Sequence, residues 1–158
     1  MIERILDFLS VRGHVVVHDR AELELAVAAL LIEAARMDDD FDAAERATIE
    51  RLLAESFGLT PAAVRSLVTT AEAAVRNSTQ FFPFTQEICK QMEPEERVQV
   101  LEMLWEVAYA DGVLDPQEDM LLRRIAGLIY VPDRERGMAR QRALEKLAAA
   151  KGTDGNRA

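Results

Sequence analysis

The sequence is poor in the residues on which most catalytic and metal-site chemistry depends. Its 158 residues include one cysteine, Cys89, and two histidines, His14 and His18. A single cysteine cannot form an internal disulfide, which points to a reducing compartment. Two histidines leave little material for a histidine-based metal site. Glu-x-x-His pairs, Gly-rich phosphate loops and G-x-S-x-G nucleophile motifs are missing, so the sequence predicts a protein that is not an enzyme.

Long apolar runs and an excess of positive charge are missing as well. No apolar run approaches the roughly 20 residues of a membrane-spanning helix, and the N-terminus lacks a signal-peptide layout. Acidic residues outnumber basic residues 28 to 19, so the formal net charge is −9. A protein that binds the phosphate backbone normally carries the opposite charge, which argues against a nucleic-acid partner. These absences predict a soluble, cytoplasmic domain without a transmembrane segment.

What the sequence does contain is helical periodicity. Apolar residues make up 49% of the chain, which excludes disorder as a description of the whole, and from residue 20 onward they recur at helical spacing. Residues 2–10 form a short amphipathic piece that predicts a further helix packed on the core. The only β-like stretch, Val15 to Val17, has nothing to pair with and is interpreted as an extended lead-in. Four prolines each stand just before an amphipathic run, as at the first position of a helix: Pro61, Pro94, Pro116 and Pro132.

The pattern therefore predicts an all-α fold, a single compact bundle of about seven helices. Its expected organisation is an N-terminal lead-in segment over residues 1–19, a helical domain over 20–150 and a polar tail over 151–158. The final helix is expected to end where the tail begins, near Gly152.

An internal repeat is the most informative feature of the chain. Residues 33–53 match residues 106–126 without a gap, at an offset of 73. Both copies share the pattern Glu-x4-Asp-x3-Asp-x2-Glu within a helix–turn–helix unit. The pattern comprises Glu33, Asp38, Asp42 and Glu45 in the first copy and Glu106, Asp111, Asp115 and Glu118 in the second. Two copies in one small domain predict a pseudo-two-fold arrangement of helical pairs around a shared core.

Helix capping explains part of this pattern. Asp42 and Asp115 each stand three residues before a glutamate, which is an acidic version of the capping box. Capping does not explain Asp38 and Asp111, which fall at the end of the preceding helix, where a carboxylate is mildly unfavourable. Each turn thus gathers two or three carboxylates. The alternatives left open are a solvated acidic turn and a site for a divalent cation of the Ca²⁺ or Mg²⁺ class, which prefers oxygen ligands.

An EF-hand does not fit these acids. Ala43 stands where the loop needs glycine, and Ile49 stands where it needs the closing glutamate. Charge is also distributed unevenly along the chain. Residues 93–119 hold nine acids and one base, whereas residues 121–151 hold eight bases and three acids. We interpret the basic segment as a solvated helix that forms ion pairs with the acidic turns, with binding of an anionic partner as the alternative.

These residues resemble a known family. Residues 30–38 and 41–46 resemble the first half of the TerB-like tellurite-resistance family, and residues 103–118, which contain Asp111-Gly112 and Asp115-Pro116-Gln117-Glu118, resemble its second half. The first copy has Asp39 where the family usually has glycine. The resemblance covers roughly residues 20–147 and implies an all-helical domain linked to resistance to tellurite and other chemical stress. It further implies divalent-cation binding and membrane-bound partners at the cytoplasmic face. The ligands it implies are Asp38, Asp42, Glu45, Asp111, Asp115 and Glu118.

Two functions from different classes follow. The first is a non-enzymatic stress protein whose two acidic turns bind a divalent cation. The second is a metal-free interaction module whose acidic face docks on a basic protein partner, including one at the inner face of the membrane. An enzyme with paired carboxylates as acid and base is a weaker third, because exposed loop carboxylates seldom have the separated pKa values that such chemistry needs.

Overall fold

The computed structural model describes residues 16–36, 43–77, 82–110 and 115–155, and within these ranges it contains helices and no strands. The seven helices are α1 (Val16–Ala35), α2 (Ala43–Phe57), α3 (Pro61–Arg76), α4 (Phe82–Gln91), α5 (Pro94–Ala108), α6 (Pro116–Leu128) and α7 (Asp133–Gly155). The all-α prediction is confirmed. The helix predicted for residues 2–10 lies outside the described residues.

Prolines start three of the four helices for which the sequence predicts this. The exception is α7, which begins at Asp133, directly after Pro132. Pro61, Pro94 and Pro116 are each the first residue of a helix, where the missing N–H costs no hydrogen bond. The cap of α3 completes the arrangement, because the Thr60 hydroxyl accepts a hydrogen bond of 3.2 Å from the Ala63 amide.

The first and last helices along the described chain are longer than the sequence predicts. α1 begins at Val16, so the extended lead-in is wrong for Val16 and Val17. α7 continues to Gly155, so the polar tail is helical from residue 151 to 155. β-branched residues lower helix propensity by less than about 1 kcal/mol each, and glycine by about 1 kcal/mol. Such penalties do not end a helix that has already been nucleated. The domain limits at residues 20 and 150 stay a prediction.

Helix α1 is the centre of the bundle. It contacts α2, α3, α4, α5 and α6, and every residue from Ala26 to Ile32 is buried. A helix that is apolar on all sides must be surrounded by protein, because any face turned to water would expose apolar area. The surrounding helices pack their own apolar stripes against it, with Leu53, Val68 and Ile88 among the fully buried side chains.

Helix α5 is the second buried helix. All residues from Val100 to Ala108 are buried, and these include the charged residues Glu102 and Glu106. α7 packs mainly on α5 and buries two alanines, Ala139 and Ala143. The C-terminal helix therefore covers the side of α5 that α1 leaves open.

The helix bounds follow the repeat offset. α1 ends at Ala35 and α5 ends at Ala108, which are 73 residues apart. α2 begins at Ala43 and α6 begins at Pro116, which are again 73 residues apart. Both acidic turns thus connect helices whose ends are in register with the repeat. The pseudo-two-fold relation between the two halves stays a prediction.

Candidate functional site

The six predicted cation ligands divide into two groups. Asp38, Asp42 and Asp111 lie outside the described residues. The other three, Glu45, Asp115 and Glu118, lie in the first turns of α2 and α6 or directly before α6. The structure therefore shows the helical side of each acidic turn.

Asp115 is the N-cap of α6, as predicted. Its Oδ1 atom accepts a hydrogen bond of 2.8 Å from the Gln117 amide, and its backbone is extended, with φ −73° and ψ 134°. One cap uses one of the roughly four lone-pair sites of a carboxylate. Capping and cation binding by this side chain are therefore compatible.

Glu45 and Glu118 are buried at equivalent places. Each is the third residue of its helix, and they retain only 9% and 4% exposure. Burying a carboxylate costs free energy unless hydrogen bonds or positive charge compensate it, and glutamate is rarely buried without such a partner. Both glutamates have interaction partners in the fold, and they stand 73 residues apart, beside the two acidic turns.

The first acids of the repeat, Glu33 and Glu106, were not among the predicted ligands, although the structure gives them a shared property. Burial raises the pKa of Glu33 above its ordinary value, and the nearby charge of Arg36 opposes this only in part. Burial also raises the pKa of Glu106, against the lowering effect of Lys146. Their positions in the repeat were visible in the sequence, but their burial depends on which helices occupy the centre of the bundle.

A charged cluster joins α5 to α7. The Arg142 Nε atom donates to Glu102 Oε2 at 3.0 Å, and the Lys146 ammonium lies 2.6 Å from Glu102 Oε1 and 3.8 Å from Glu106 Oε1. The cluster borders a cleft of about 210 Å³, lined in addition by Arg51 and Glu55 of α2. The basic segment was expected to pair with the acidic turns. In the described part of the chain, Arg142 and Lys146 instead pair with acids inside helix α5, because α7 packs along that helix.

Trp105 and Cys89, which lie outside the acidic turns, make packing contacts. Trp105 is buried in the core, and its ring stacks on Tyr109 at a centroid distance of 5.9 Å, with Arg140 lying over both rings. Cys89 is half-buried, and its thiol donates to the Leu128 carbonyl at 3.4 Å. These contacts are those of packing residues.

The described residues alone form neither a metal-ligand cluster nor a membrane-spanning helix. The described histidines, cysteines and acids do not by themselves form a group of three or more that could hold a metal ion. Within the described helices, none combines the length and apolar character needed to cross a bilayer.

Fold and site together define a class of protein: an all-α bundle in which buried glutamates flank two repeated acidic turns. Comparison with protein families identifies the class. The model of the family described as tellurite resistance protein TerB matches residues 24–141. The chain belongs to the TerB family. No curated protein and no solved structure gives a significant match.

Proposed function

We propose that this TerB-family protein is a non-enzymatic cytoplasmic stress-response protein that binds divalent cations through its two acidic turns. The observation that carries the proposal is the burial of Glu45 and Glu118 at equivalent positions, each in the first helical turn after an acidic turn. The proposed ligands are Asp38, Asp42 and Glu45 in the first turn and Asp111, Asp115 and Glu118 in the second.

The chemistry of these ligands decides the class of cation. All six offer carboxylate oxygens, which suit the hard cations Ca²⁺ and Mg²⁺ better than metals that favour nitrogen or sulfur. A bound cation would add a favourable interaction with Glu45 and Glu118, since opposite charge stabilises the ionised carboxylate. The first helical turn holds each glutamate beside its acidic turn, and the aspartates of that turn would supply the remaining oxygen ligands.

The proposed consequence of binding is a change in the acidic turns. A cation that binds one arrangement of a turn better than others shifts the population toward that arrangement. Each turn joins a buried helix, α1 or α5, to a more exposed one, α2 or α6. Binding would therefore alter the surface offered to a protein partner, including a partner at the inner face of the membrane.

Thermal unfolding of chelator-treated protein, titrated separately with Ca²⁺, Mg²⁺, Mn²⁺ and Zn²⁺, tests this proposal. A ligand present at 100 times its dissociation constant adds about 2.7 kcal/mol to the free energy of unfolding. For a domain of this size that raises Tm by roughly 5 to 10 °C. We expect a saturable shift with Ca²⁺ or Mg²⁺, and its loss in the Asp38→Asn/Asp111→Asn double variant.

The matched control is Asp133→Asn/Glu145→Gln, which also removes two negative charges, from exposed positions on α7. This variant should keep the full cation response. An equal loss of response in both double variants would mean that general charge, and not the turns, governs the shift. No shift with any cation at millimolar concentration would contradict the proposal.

The alternative is a metal-free interaction module, and the cap formed by Asp115 favours it. The Asp115–Gln117 hydrogen bond gives this acid a structural role that requires no cation. In that case the Asp38→Asn/Asp111→Asn double variant would change only the affinity for a basic partner and the salt dependence of that affinity.

A further inference from the structure

Helices α5 and α7 face each other in a regular register. The Arg142–Glu102 and Lys146–Glu106 ion pairs both join residues 40 positions apart. The same spacing relates Val98 to Met138, which line one groove together. The two helices thus run in the same direction, and residues 40 positions apart face each other along the contact. Ion pairs close the C-terminal part of this contact, and a groove occupies the N-terminal part.

The groove has the size and lining of a small-molecule site. Its volume is about 500 Å³, within the range of roughly 300–1,000 Å³ that is typical of such sites. Pro94, Val98 and Met138 supply apolar surface, and Met138 remains 50% exposed. The polar groups of the lining are Glu95, Gln99, Arg134, Glu135 and Arg142.

We propose that this groove binds a small amphipathic carboxylate, with its anionic group on Arg142 and its apolar chain between Val98 and Met138. The site is separate from the acidic turns, and its occupation requires no cation. It gives the TerB fold of this chain a second ligand class, distinct from divalent metals.

Arg142 is preorganised for this role. Its Nε atom is held at 3.0 Å by Glu102, a buried carboxylate, while the side chain also borders the groove. One hydrogen bond fixes the plane of the guanidinium and leaves further N–H donors in a fork that matches a carboxylate. A donor that is already oriented loses little conformational freedom when the ligand binds.

The charges along the groove set the direction of the ligand. Glu95 and Glu135 lie in the first turns of their helices, about 10 Å along the helix axis from the level of Arg142. An anionic group beside Arg142 is therefore far from Glu95 and Glu135, and the nearer acid, Glu102, is already paired with both Arg142 and Lys146. The chain that follows the anionic group passes Val98 and Met138. A cationic headgroup would meet repulsion from Arg142 in the same place.

The test uses the chelator-treated full chain labelled with ¹³C in the methionine methyl groups, titrated with sodium octanoate below its micelle concentration. Met138 reports on the groove. Met120, 70% exposed on α6, is the matched reporter for non-specific contact. We expect a saturable shift of the Met138 methyl signal and none of Met120, with octylammonium at least tenfold weaker.

Variants complete the test. Arg142→Gln should weaken octanoate binding about tenfold or more, because a charge-assisted hydrogen bond is lost. Arg142→Lys keeps the charge and loses the forked donors of the guanidinium. Its octanoate affinity should therefore lie between those of the parent and of Arg142→Gln. Met138→Gln removes the reporter, so its octanoate affinity is measured by isothermal titration calorimetry beside the parent; it should also be weaker, and the variant leaves the Glu102 contacts in place should Arg142→Gln fail to fold. Arg123→Gln, at an exposed position on α6, should change nothing.

Four results would overturn the proposal. They are parallel, unsaturable shifts of Met120 and Met138, equal binding of octylammonium, an unchanged affinity in a folded Arg142 variant, and a Met138 shift that depends on protein concentration alone. The last result would mean that a second copy of the chain occupies the groove. Because the chelator has removed divalent cations, these outcomes do not depend on the proposed role of the acidic turns.

Discussion

Glu33 and Glu106 are two glutamates whose carboxyl pKa is changed by burial in the bundle. Each stands on a central helix, two positions before its end, and burial raises the pKa of both. A raised carboxyl pKa means that the folded state holds its proton more tightly than the unfolded state does. Stability contributed by that proton is present at low pH and is lost as pH rises from the unfolded pKa toward the folded pKa.

Glu106→Gln should therefore make stability less dependent on pH. The neutral amide removes the cost of ionising a buried group, so the variant should gain stability relative to the parent as pH rises from about 4 to 7. Tm measured across this range for the parent, for Glu106→Gln and for the exposed control Glu135→Gln checks the sign. A steeper decline in Glu106→Gln than in the parent would contradict it.

Tyr130 is a second residue whose backbone matters. It follows α6 with a φ of 58°, in the left-handed region that favours glycine, and Gly58 follows α2 with a φ of 64°. The next amide, of Val131, bonds to the Ala126 carbonyl at 2.9 Å, and the Tyr130 amide bonds to Gly127 at 3.3 Å. These two bonds are the Schellman pattern of helix termination. Tyr130 thus adopts the conformation that a glycine adopts after α2.

Replacing Tyr130 with glycine should stabilise the protein by about 1 kcal/mol. The left-handed conformation costs an L-residue roughly 1–2 kcal/mol, and the greater freedom of glycine in the unfolded chain returns part of the gain. The side chain is 76% exposed, so little packing is lost. Urea denaturation measures the change, and Gly58→Ala should show a loss of similar size. A destabilised Tyr130→Gly would show that the ring makes a contact worth more than the strain.

At the scale of elements, the contact between α5 and α7 depends on a buried acid with two cations. Glu102 is buried, whereas Arg142 and Lys146 keep part of their surface in water. The partners are therefore unequal. If Glu102 is removed, the unpaired Arg142 and Lys146 can be rehydrated by a small movement of their long side chains. If the two cations are removed, the unpaired Glu102 stays in the protein interior, which solvates charge poorly.

Removing the two cations should consequently cost more than removing the acid. We expect Arg142→Met/Lys146→Met to lower the free energy of unfolding by about 2–3 kcal/mol, and Glu102→Met by about 1 kcal/mol or less. Denaturant titrations of both variants measure the difference. Arg123→Met, which breaks an exposed pair on α6, should change little. Equal losses of unfolding free energy in the first two variants would mean that the loss of the ion pairs, and not the burial of an unpaired charge, determines the effect.

At the scale of the whole molecule, the bundle is organised around one helix. α1 contacts five neighbours, and its residues from Ala26 to Ile32 are buried on every side. Local opening cannot expose such a helix without separating several others. Amides in this segment should therefore exchange only through global unfolding.

Native-state hydrogen exchange checks this expectation. The amides of residues 26–32 should be among the slowest in the chain, with an opening free energy equal to that of global unfolding. The amides near the end of α7, where residues 148–150 are exposed, should exchange faster. Fast exchange within residues 26–32 would mean that α1 can leave the core on its own.

The sequence by itself determined the helical class, most helix starts and the repeat. These depend on neighbours along the chain. A proline at Pro61, Pro94 or Pro116 favours the first turn, Asp115 caps its own helix, and the 73-residue offset places both acidic turns. Family membership follows from the same local patterns, since the TerB match covers the repeat.

Only the tertiary structure decided which helices are central and which charges are buried. Periodicity marked one apolar face on α1, but whether its other faces meet water depends on five helices that are distant in sequence. For the same reason the sequence named Glu45 and Glu118 as site residues without showing their burial, and gave no role to Glu102. Burial and charge pairing depend on contacts across the bundle, and these are set by how the helices pack together and not by the residues beside each side chain.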